Sequence, residues 1–450
     1  MSKKIAVVGG GISGLTAAYR LMNEGCDVSL FEKKEQGGGA IRTGKEEGYL
    51  FEYGPNSTMN SNDEIDQLCK LLGLEDERVF GRAVSKKRYV VRYGRPIATP
   101  AGLMGFIKSD LWTASGKLRI FKDIFVGRHK GGEESVADYV RRRVGKELLD
   151  YGLDPFVSGV YAGDPEKLSL KSTFPKMAAL EEEYGSIIRG AIKKGLKGGP
   201  KSTRQKGIFS FKEGMDVLPK ALTDALAERF RGGTAVEGIK KNKGRYLLTL
   251  TGGEYTEADE VILSSPAYIN SKIISSLSPE ASRLLKGIEY APLVIVYLGF
   301  NRKDVAHPLD GFGCLIPGKE GKKLLGSLWN SSMFPGRVPE GKVCLTNFVG
   351  GARNPSIVDR SDKEILSTIM TDLNALFGVK GDPTFIKIIK HKKAIPQYNL
   401  GHGKKLDALS RAMDSLPGIH LLGNYLQGVS VADCVKNGVE MAMKVKKRVG

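Results

Sequence analysis

The spacing of apolar positions changes along the chain, and each change predicts a different element. Ile5-Ala6-Val7-Val8 is an unbroken apolar run, the mark of a strand buried on both faces. Glycines follow at Gly9, Gly11 and Gly14, and then a helical pattern over Leu15–Asn23. A second apolar run, Val28–Phe31, stops at Glu32. Strand, glycine turn, helix and strand in that order predict a βαβ unit and hence a parallel sheet. The far end of the chain repeats the theme. A strand ends at Gly423, a turn runs through Val429–Ala432, and a helix continues to Lys447.

Between these ends the period shifts twice. Phe209–Leu226 leads into a helix, and the turn signals "NKG" and "TGGE" that follow predict a β-meander with a return strand at Glu260–Leu263. Residues 266–405 carry the strand-like runs "APLVIVYLGF", "KKLLGSLWNSS" and "KVCLTNFVGG". They predict an antiparallel sheet able to roof a cavity. Residues 94–206 are rich in helix formers, with apolar clusters at Leu103, Met104, Phe106, Ile107, Leu111 and Trp112. Leu118, Phe121, Ile124 and Phe125 recur at helical spacing, which suits a core face and equally suits apolar helices lying on a bilayer. This region ends in "RGAIKKGLKGGPKSTRQKG", where Lys193, Lys194, Lys197, Lys201, Arg204 and Lys206 sit among glycines. That composition predicts a mobile cationic segment. It suits an anionic bilayer beside apolar helices, and it equally suits a solvated loop.

The predicted fold class is α/β, with a parallel-sheet unit at the two ends of the chain, an antiparallel sheet and a helix-rich stretch between them.

Composition narrows the partners. The 450 residues suffice for two or three domains. Lys and Arg number 69 against 50 Asp and Glu, a net +19 that favours an anionic partner. No aromatic RNA-binding motif, zinc-finger spacing or recognition-helix signature accompanies the charge, so nucleic acid is not expected. Cys26, Cys69, Cys314, Cys344 and Cys434 are scattered and never spaced C-x-x-C. That argues for a reducing compartment and against disulfides or structural zinc. "MSKKIAVVGG" runs straight into a strand, so no secretory signal is expected. "APLVIVYLGF" falls short of the ~20 residues needed to span a bilayer.

The first fifty residues carry the clearest chemistry. Gly9, Gly11 and Gly14 match G-x-G-x-x-G. The first allows the turn, the second lets backbone approach a pyrophosphate, and the third lets helix and strand pack closely. The helix that follows aims its N–H groups and dipole at phosphate. Glu32, 18 residues after Gly14, can accept hydrogen bonds from a ribose diol and repels a 2′-phosphate. A glycine-rich structural turn alone would leave Glu32 unexplained.

"GGGAIRT" at Gly37–Thr43 and "YLFEYGPNS" at Tyr49–Ser57 come next. A Gly-Gly-x-x-Arg element after the ribose acid resembles the second fingerprint of the flavin amine-oxidase superfamily. This resemblance implies FAD, with Gly38, Gly39 and Arg42 along the pyrophosphate and ribityl chain. It implies a cofactor set of Gly9, Gly10, Gly11, Ile12, Ser13, Gly14, Glu32, Lys33, Gly39, Arg42, Gly54, Pro55, Asn56 and Ser57. Val236 would hold the adenine, and Gly423, Val429, Ser430 and Val431 would close over the isoalloxazine.

"FVSGVYAGDPEKLSLKSTFPKMAALEEEYGSIIRG" (Phe156–Gly190), "GFGCLIP" (Gly311–Pro317), "SSMFPGR" (Ser331–Arg337), "FVGG" (Phe348–Gly351) and "IPQYNLGH" (Ile395–His402) make the resemblance narrower. Together they resemble the oxygen-dependent protoporphyrinogen oxidase family from end to end. The resemblance implies oxidation of protoporphyrinogen IX to protoporphyrin IX in heme and chlorophyll biosynthesis. Three two-electron hydride transfers to flavin N5 would be followed by reoxidation with dioxygen. It further implies an amine-oxidase-like architecture: a discontinuous Rossmann-type FAD-binding domain of residues 1–80, 207–265 and 406–450, an antiparallel-sheet substrate domain of 81–93 and 266–405, and a helical membrane-associating domain of 94–206. The implied protein is cytoplasmic, peripheral on the inner face of the cell membrane, with a homodimer by analogy. Arg88 would pair with a propionate, Leu315, Leu328 and Phe348 would sandwich the macrocycle, and Gly159 would face the ring through its backbone. No protein general acid or base and no metal is expected. His129, His307, His391, His402 and His420 form no triad-like or metal-like pattern, and His402 reads as structural. Three other readings remain open: coproporphyrinogen III oxidation to coproporphyrin III, a general amine or carotenoid oxidase, and a non-catalytic scaffold of the same fold.

Overall fold

The computed structural model describes residues 3–197 and 205–449. The side chains of Leu103 and Lys197, and all of Lys201 and Arg204, lie outside the described residues. A five-stranded parallel sheet has the order Phe230–Arg231, Asp27–Phe31, Lys4–Val8, Glu260–Leu263, Ile419–Leu421. The helix Ile12–Asn23 runs between the first two chain-order strands, with Val217–Leu226 and Val431–Val449 packed beside it on one face. Leu15, Leu21, Leu218, Leu222 and Val435 are shut away from solvent there. The predicted meander, Val236–Asn242, Arg245–Leu250 and Tyr255–Ala258, covers the other face through Ile239 and Leu248. This is a Rossmann-type α/β sheet, with helices on one face and a meander on the other.

Register fixes where a ligand can sit. Val8 pairs with Phe31 and with Leu263, and Leu263 pairs with Leu421. The carboxyl ends of four strands therefore align, and Gly9, Glu32, Ser264 and Leu422 emerge side by side. In open parallel sheets this edge is the ligand-binding edge.

The second sheet has seven strands in the order Phe385–Pro396, Tyr290–Asn301, Lys342–Gly350, Leu324–Leu328, Gly313–Leu315, Tyr89–Arg92, Arg95–Ala98. Expected to be antiparallel, it is mixed, because Tyr89–Arg92 joins Gly313–Leu315 in parallel. The cause is topological: Tyr89–Arg92 comes from early in the chain and adds to the edge of a sheet built from a later segment. Its hairpin partner Arg95–Ala98 follows a two-residue turn, Tyr93-Gly94, with both residues at positive φ. The strand thus carries the sheet past residue 94. The helix Asp362–Phe377 covers one face through Ile365, Ile369 and Leu373.

Of the two readings of the helical segment, the core face fails: Leu118, Phe121 and Phe125 are 67%, 54% and 86% exposed. Ile124 is half-buried. The inward position of this turn is instead the fully buried Asp123. Its carboxylate accepts from Arg143 at 3.1 Å, from the Ser186 hydroxyl at 2.6 Å and from the Ile188 N–H at 3.0 Å. A charge that well satisfied can stay buried, and it turns its apolar neighbours outward. Lys193 and Lys194 lie on the helix Ile187–Lys197.

Candidate active site

The glycine turn is shaped for a pyrophosphate. Gly9 has φ +106°, and a Cβ there would press on Ser265 at 2.7 Å. At Gly14 a side chain would strike the Gly9 carbonyl and Ser264 Oγ. At Gly11 a Cβ would meet nothing within 4 Å. Two glycines thus serve close packing, and the middle one faces open space at the helix N-terminus. That helix starts at Gly11 with no side-chain cap, so its first N–H groups stay available to an anion.

Glu32 closes one side. Its carboxylate accepts from the N–H groups of Gly10 at 2.7 Å and Lys34 at 3.0 Å, while Lys33 is exposed. Thr234 donates its N–H to the Glu32 carbonyl at 2.8 Å, which brings the buried Val236 to the same corner. Gly38 donates to the Gly10 carbonyl at 2.7 Å, and a Cβ on Gly39 would lie 3.2 Å from the Gly11 Cα. The two glycine fingerprints therefore lie directly against one another. Arg42 is exposed, with its guanidinium carbon 4.8 Å from the centre of the Tyr53 ring. A side chain on Gly54 would strike the Ala40 carbonyl, which seats Gly54-Pro55-Asn56-Ser57 beside them.

The C-terminal helix completes the cradle. Ser430 caps it, accepting from the Asp433 N–H at 3.1 Å and donating to the Asp433 carboxylate at 2.6 Å. A Cβ on Gly438 would lie 2.7 Å from the Ser13 carbonyl and 2.9 Å from Thr16. That close crossing sets Val429, Ser430 and Val431 beside Ile12 and Ser13. Leu422 donates to the Leu263 carbonyl at 2.9 Å, so Gly423 emerges at the same sheet edge. The Ser264 Oγ at this edge is buried with no hydrogen-bond partner among the described residues. An uncapped helix, an open glycine, a fixed acid and an orphan hydroxyl fit a dinucleotide such as FAD.

The substrate residues converge on one sheet face. Leu315 pairs with Gly326, and Gly326 pairs with Phe348. Gly313 pairs with Leu328. Paired and alternate residues share a face, so Leu315, Leu328 and Phe348 line one side with Gly326 as a gap between them. All three are half-buried. Val90 pairs with Leu315, and Arg88, two residues earlier, lies on that face at its edge. Arg88 is exposed, with its guanidinium carbon 5.3 Å from the centre of the Phe312 ring, and no carboxylate among the described residues pairs with it. Above the face lies the helix Asp154–Tyr161, whose Gly159 sits against Leu315.

Sequence reasoning missed the buried polar network that joins cradle to sheet. Glu52 is 3% exposed and accepts from the Thr43 hydroxyl at 2.6 Å and the Met215 N–H at 2.9 Å. Burial pushes its carboxyl up to about 7, against the pull of these donors and of Arg337. The Tyr297 hydroxyl accepts from the Glu52 N–H at 2.9 Å and lies 3.0 Å from Asn56 Oδ1. Asn330 donates to Asn56 Oδ1 at 2.8 Å and to Thr346 at 2.9 Å. Glu52 and Asn56 stand inside "YLFEYGPNS", so the only available signal was a carboxylate inside an apolar run.

The histidines have structural partners. His402 is buried, stacked on Tyr398 with centroids 4.7 Å apart, and burial drops its pKa to about 4. His420 faces Glu260 at 2.6 Å, and His391 contacts the Tyr53 carbonyl at 2.7 Å. His307 accepts from the Leu309 N–H, and His129 contacts the Gly132 carbonyl. Among the described residues no His, Cys, Asp or Glu cluster could hold a metal. All five cysteines are buried and free.

Residues 12–446 match the model of the flavin containing amine oxidoreductase family. The mitochondrial protoporphyrinogen oxidase of Nicotiana tabacum is 33% identical, over 98% of this chain and 94% of its own length. The coproporphyrinogen III oxidase of Bacillus subtilis (strain 168) is 30% identical, over 97% and 96%. The crystal structure of a provisionally named protoporphyrinogen oxidase from Exiguobacterium sp. 255-15 superposes with a TM-score of 0.83 at 24% identity. It covers 100% of this chain and 99% of that one.

Proposed function

The chain belongs to the flavin containing amine oxidoreductase family, and from that premise we propose that it oxidises protoporphyrinogen IX to protoporphyrin IX. One observation carries this reading. An apolar sheet face, Leu315–Leu328–Phe348, ends at an arginine with no carboxylate partner among the described residues and lies beside a dinucleotide cradle. A porphyrinogen is a broad apolar macrocycle with carboxylates on its rim, and this face offers an apolar surface with a cation at its edge.

FAD, held by Gly9–Gly14, Glu32, Gly39 and the Val429–Val431 turn, supplies a two-electron acceptor when bound. The chain's own residues do the rest. Arg88 anchors a propionate, since a guanidinium binds carboxylate through two parallel hydrogen bonds. Leu315, Leu328 and Phe348 exclude water from the macrocycle face. Gly159 presents backbone where a side chain would intrude. Dioxygen is the proposed terminal acceptor.

A location on an anionic membrane, at the cytoplasmic face of the cell membrane, belongs to the same proposal. Met104, Ile107, Leu118, Phe121 and Phe125 expose large apolar side chains on the helical segment. Lys108, Lys122, Lys193 and Lys194 are exposed on the same segment. Among the described residues no helix is long and apolar enough to cross a membrane. The arrangement supports lying on a bilayer surface.

The second reading, coproporphyrinogen III, draws on the Bacillus subtilis relative and the net +19. Parallel assays of purified, FAD-loaded protein separate the two by porphyrin fluorescence. Faster turnover of protoporphyrinogen IX is expected. Preference for coproporphyrinogen III would move the assignment to the second reading, and turnover of neither would end both.

A further inference from the structure

The helix Asp154–Tyr161 is held in an unusual way. The chain enters it from a π turn, Leu149–Leu153, and leaves it through Ala162 in the left-handed region at φ +47°, ψ +30°. Backbone of both kinds concentrates at functional segments. The helix is continuous with that π turn at its start and ends at Ala162, and side-chain and backbone ties hold it against the second sheet.

Those ties run to the strands that carry the apolar face. Asp154 Oδ1 accepts from Arg353 Nη1 at 2.7 Å, and Asp154 Oδ2 accepts from the Gly318 N–H at 2.9 Å. The other arm of the guanidinium, Nη2, bonds the Ser158 hydroxyl. One arginine therefore grips the first turn of the helix at both Asp154 and Ser158. Gly318 lies three residues past Leu315, and Arg353 lies five past Phe348. At the far end the Ala162 carbonyl accepts from the Ala352 N–H at 2.8 Å, and the Tyr161 carbonyl accepts from Gln397 at 2.9 Å. A cavity of about 150 Å³ beside the ion pair, lined by Leu149, Lys319 and Arg353 among others, gives the guanidinium room to swing away.

We propose that Asp154 and Arg353 are positioning residues whose ion pair latches the helix Asp154–Tyr161 at a fixed height over Leu315. The latch sets how closely the covering helix approaches the apolar face that receives the macrocycle. This inference rests on the substrate reading above. Neither residue touches the reacting atoms. Release of the latch lets the helix lift, and its closure returns Gly159 to the sheet face.

The test combines hydrogen exchange with a double-mutant cycle on the FAD-loaded full chain. In Arg353→Ala, amides of residues 155–161 should exchange at least tenfold faster, and turnover should fall by roughly 10- to 100-fold, the scale of ångström-level misplacement. FAD content should be unchanged. The penalty of Gly159→Ala should shrink in the Arg353→Ala background, because an unlatched helix can rise to admit the methyl. A merely structural ion pair would give additive losses. Arg353→Lys keeps the charge facing Asp154 and loses the second arm, so it should fall between. It carries the same readouts should Arg353→Ala fail to fold. Unchanged exchange over 155–161, or an unchanged Gly159→Ala penalty, overturns the latch. If wild type oxidises no porphyrinogen, the substrate reading fails and exchange alone decides whether the pair holds the helix.

Discussion

A Cβ placed on Gly159 would lie 3.7 Å from Cγ of Leu315 and inside the contact radius of its Cδ2. The glycine of "FVSGVYAGDP" is therefore a contact point between the covering helix and the apolar sheet face. Gly159 has ordinary helical backbone, with no positive φ, so its value lies in space. Gly159→Ala should yield a folded, FAD-loaded protein with near-wild-type melting. Its turnover should drop on the order of 100-fold if the reacting carbon shifts by ~1 Å. Leu315→Ala in the same chain should restore part of that loss. Early melting with normal kcat would assign the glycine to stability instead.

Glu32 is a rim of the cofactor cradle and an anchor for the glycine turn at once. Glu32→Ala removes a charged acceptor from the Gly10 and Lys34 N–H groups. Hydrogen bonds to charged groups contribute about 1.5–3 kcal/mol. FAD affinity should therefore weaken by roughly 10- to 150-fold, measured by titration of the apoprotein. Unaltered affinity would remove Glu32 from the cofactor site.

Glu52 gives a pH signature. Its folded pKa of about 7 stands above the ordinary carboxylate value of 4.5 because burial disfavours the charge. Between these values the folded state holds more protons than the unfolded one. This group's contribution is therefore fully present below about pH 4.5 and is lost as pH rises through about 7. His402, held down at about 4 by burial, acts in the opposite direction below its ordinary 6.5. The comparison that isolates Glu52 is wild type against Glu52→Gln. The Tm difference between them should change from pH 5 to about 7, with wild type losing ground, and level off above that. A difference independent of pH would contradict the raised pKa.

The parts legible in the sequence were those in which residue type and geometry are locked together. The glycines at Gly9, Gly11 and Gly14 have few alternatives once a helix must start against a strand end. The buried strand Tyr290–Asn301 showed as an unbroken apolar run because both its faces are covered. Leu118, Phe121 and Phe125 left two readings open because a helical stripe records only that one face is apolar. What the stripe faces was decided by Asp123, whose partners Arg143 and Ser186 lie 20 and 63 residues away. The Asp154–Arg353 pair was hidden for the same reason, with 199 residues between its members.

The exposed apolar lip gives a binding prediction. Phe121→Ser with Phe125→Ser should cut co-sedimentation with anionic vesicles at least tenfold, since each ring buries ~1.5–3 kcal/mol of apolar surface. Melting should stay near wild type because both rings already face solvent. Lys193→Gln with Lys194→Gln should instead reduce the salt sensitivity of binding, at ~1 kcal/mol per charge near the surface. Binding untouched by all four changes would return the lip to an ordinary surface.

The central claim is that the apolar face of Leu315, Leu328 and Phe348, beside the covering helix at Gly159, takes a porphyrinogen anchored by Arg88. Anaerobic rapid mixing of FAD-loaded protein with protoporphyrinogen IX, followed by flavin absorbance, tests it most directly. The account predicts bleaching whose rate saturates with substrate. In Arg88→Ala the limiting rate should persist, while the half-saturating concentration rises by about 10- to 150-fold, the equivalent of one charged hydrogen bond. A flavin that stays oxidised with both porphyrinogens yet bleaches with a simple amine would contradict the account.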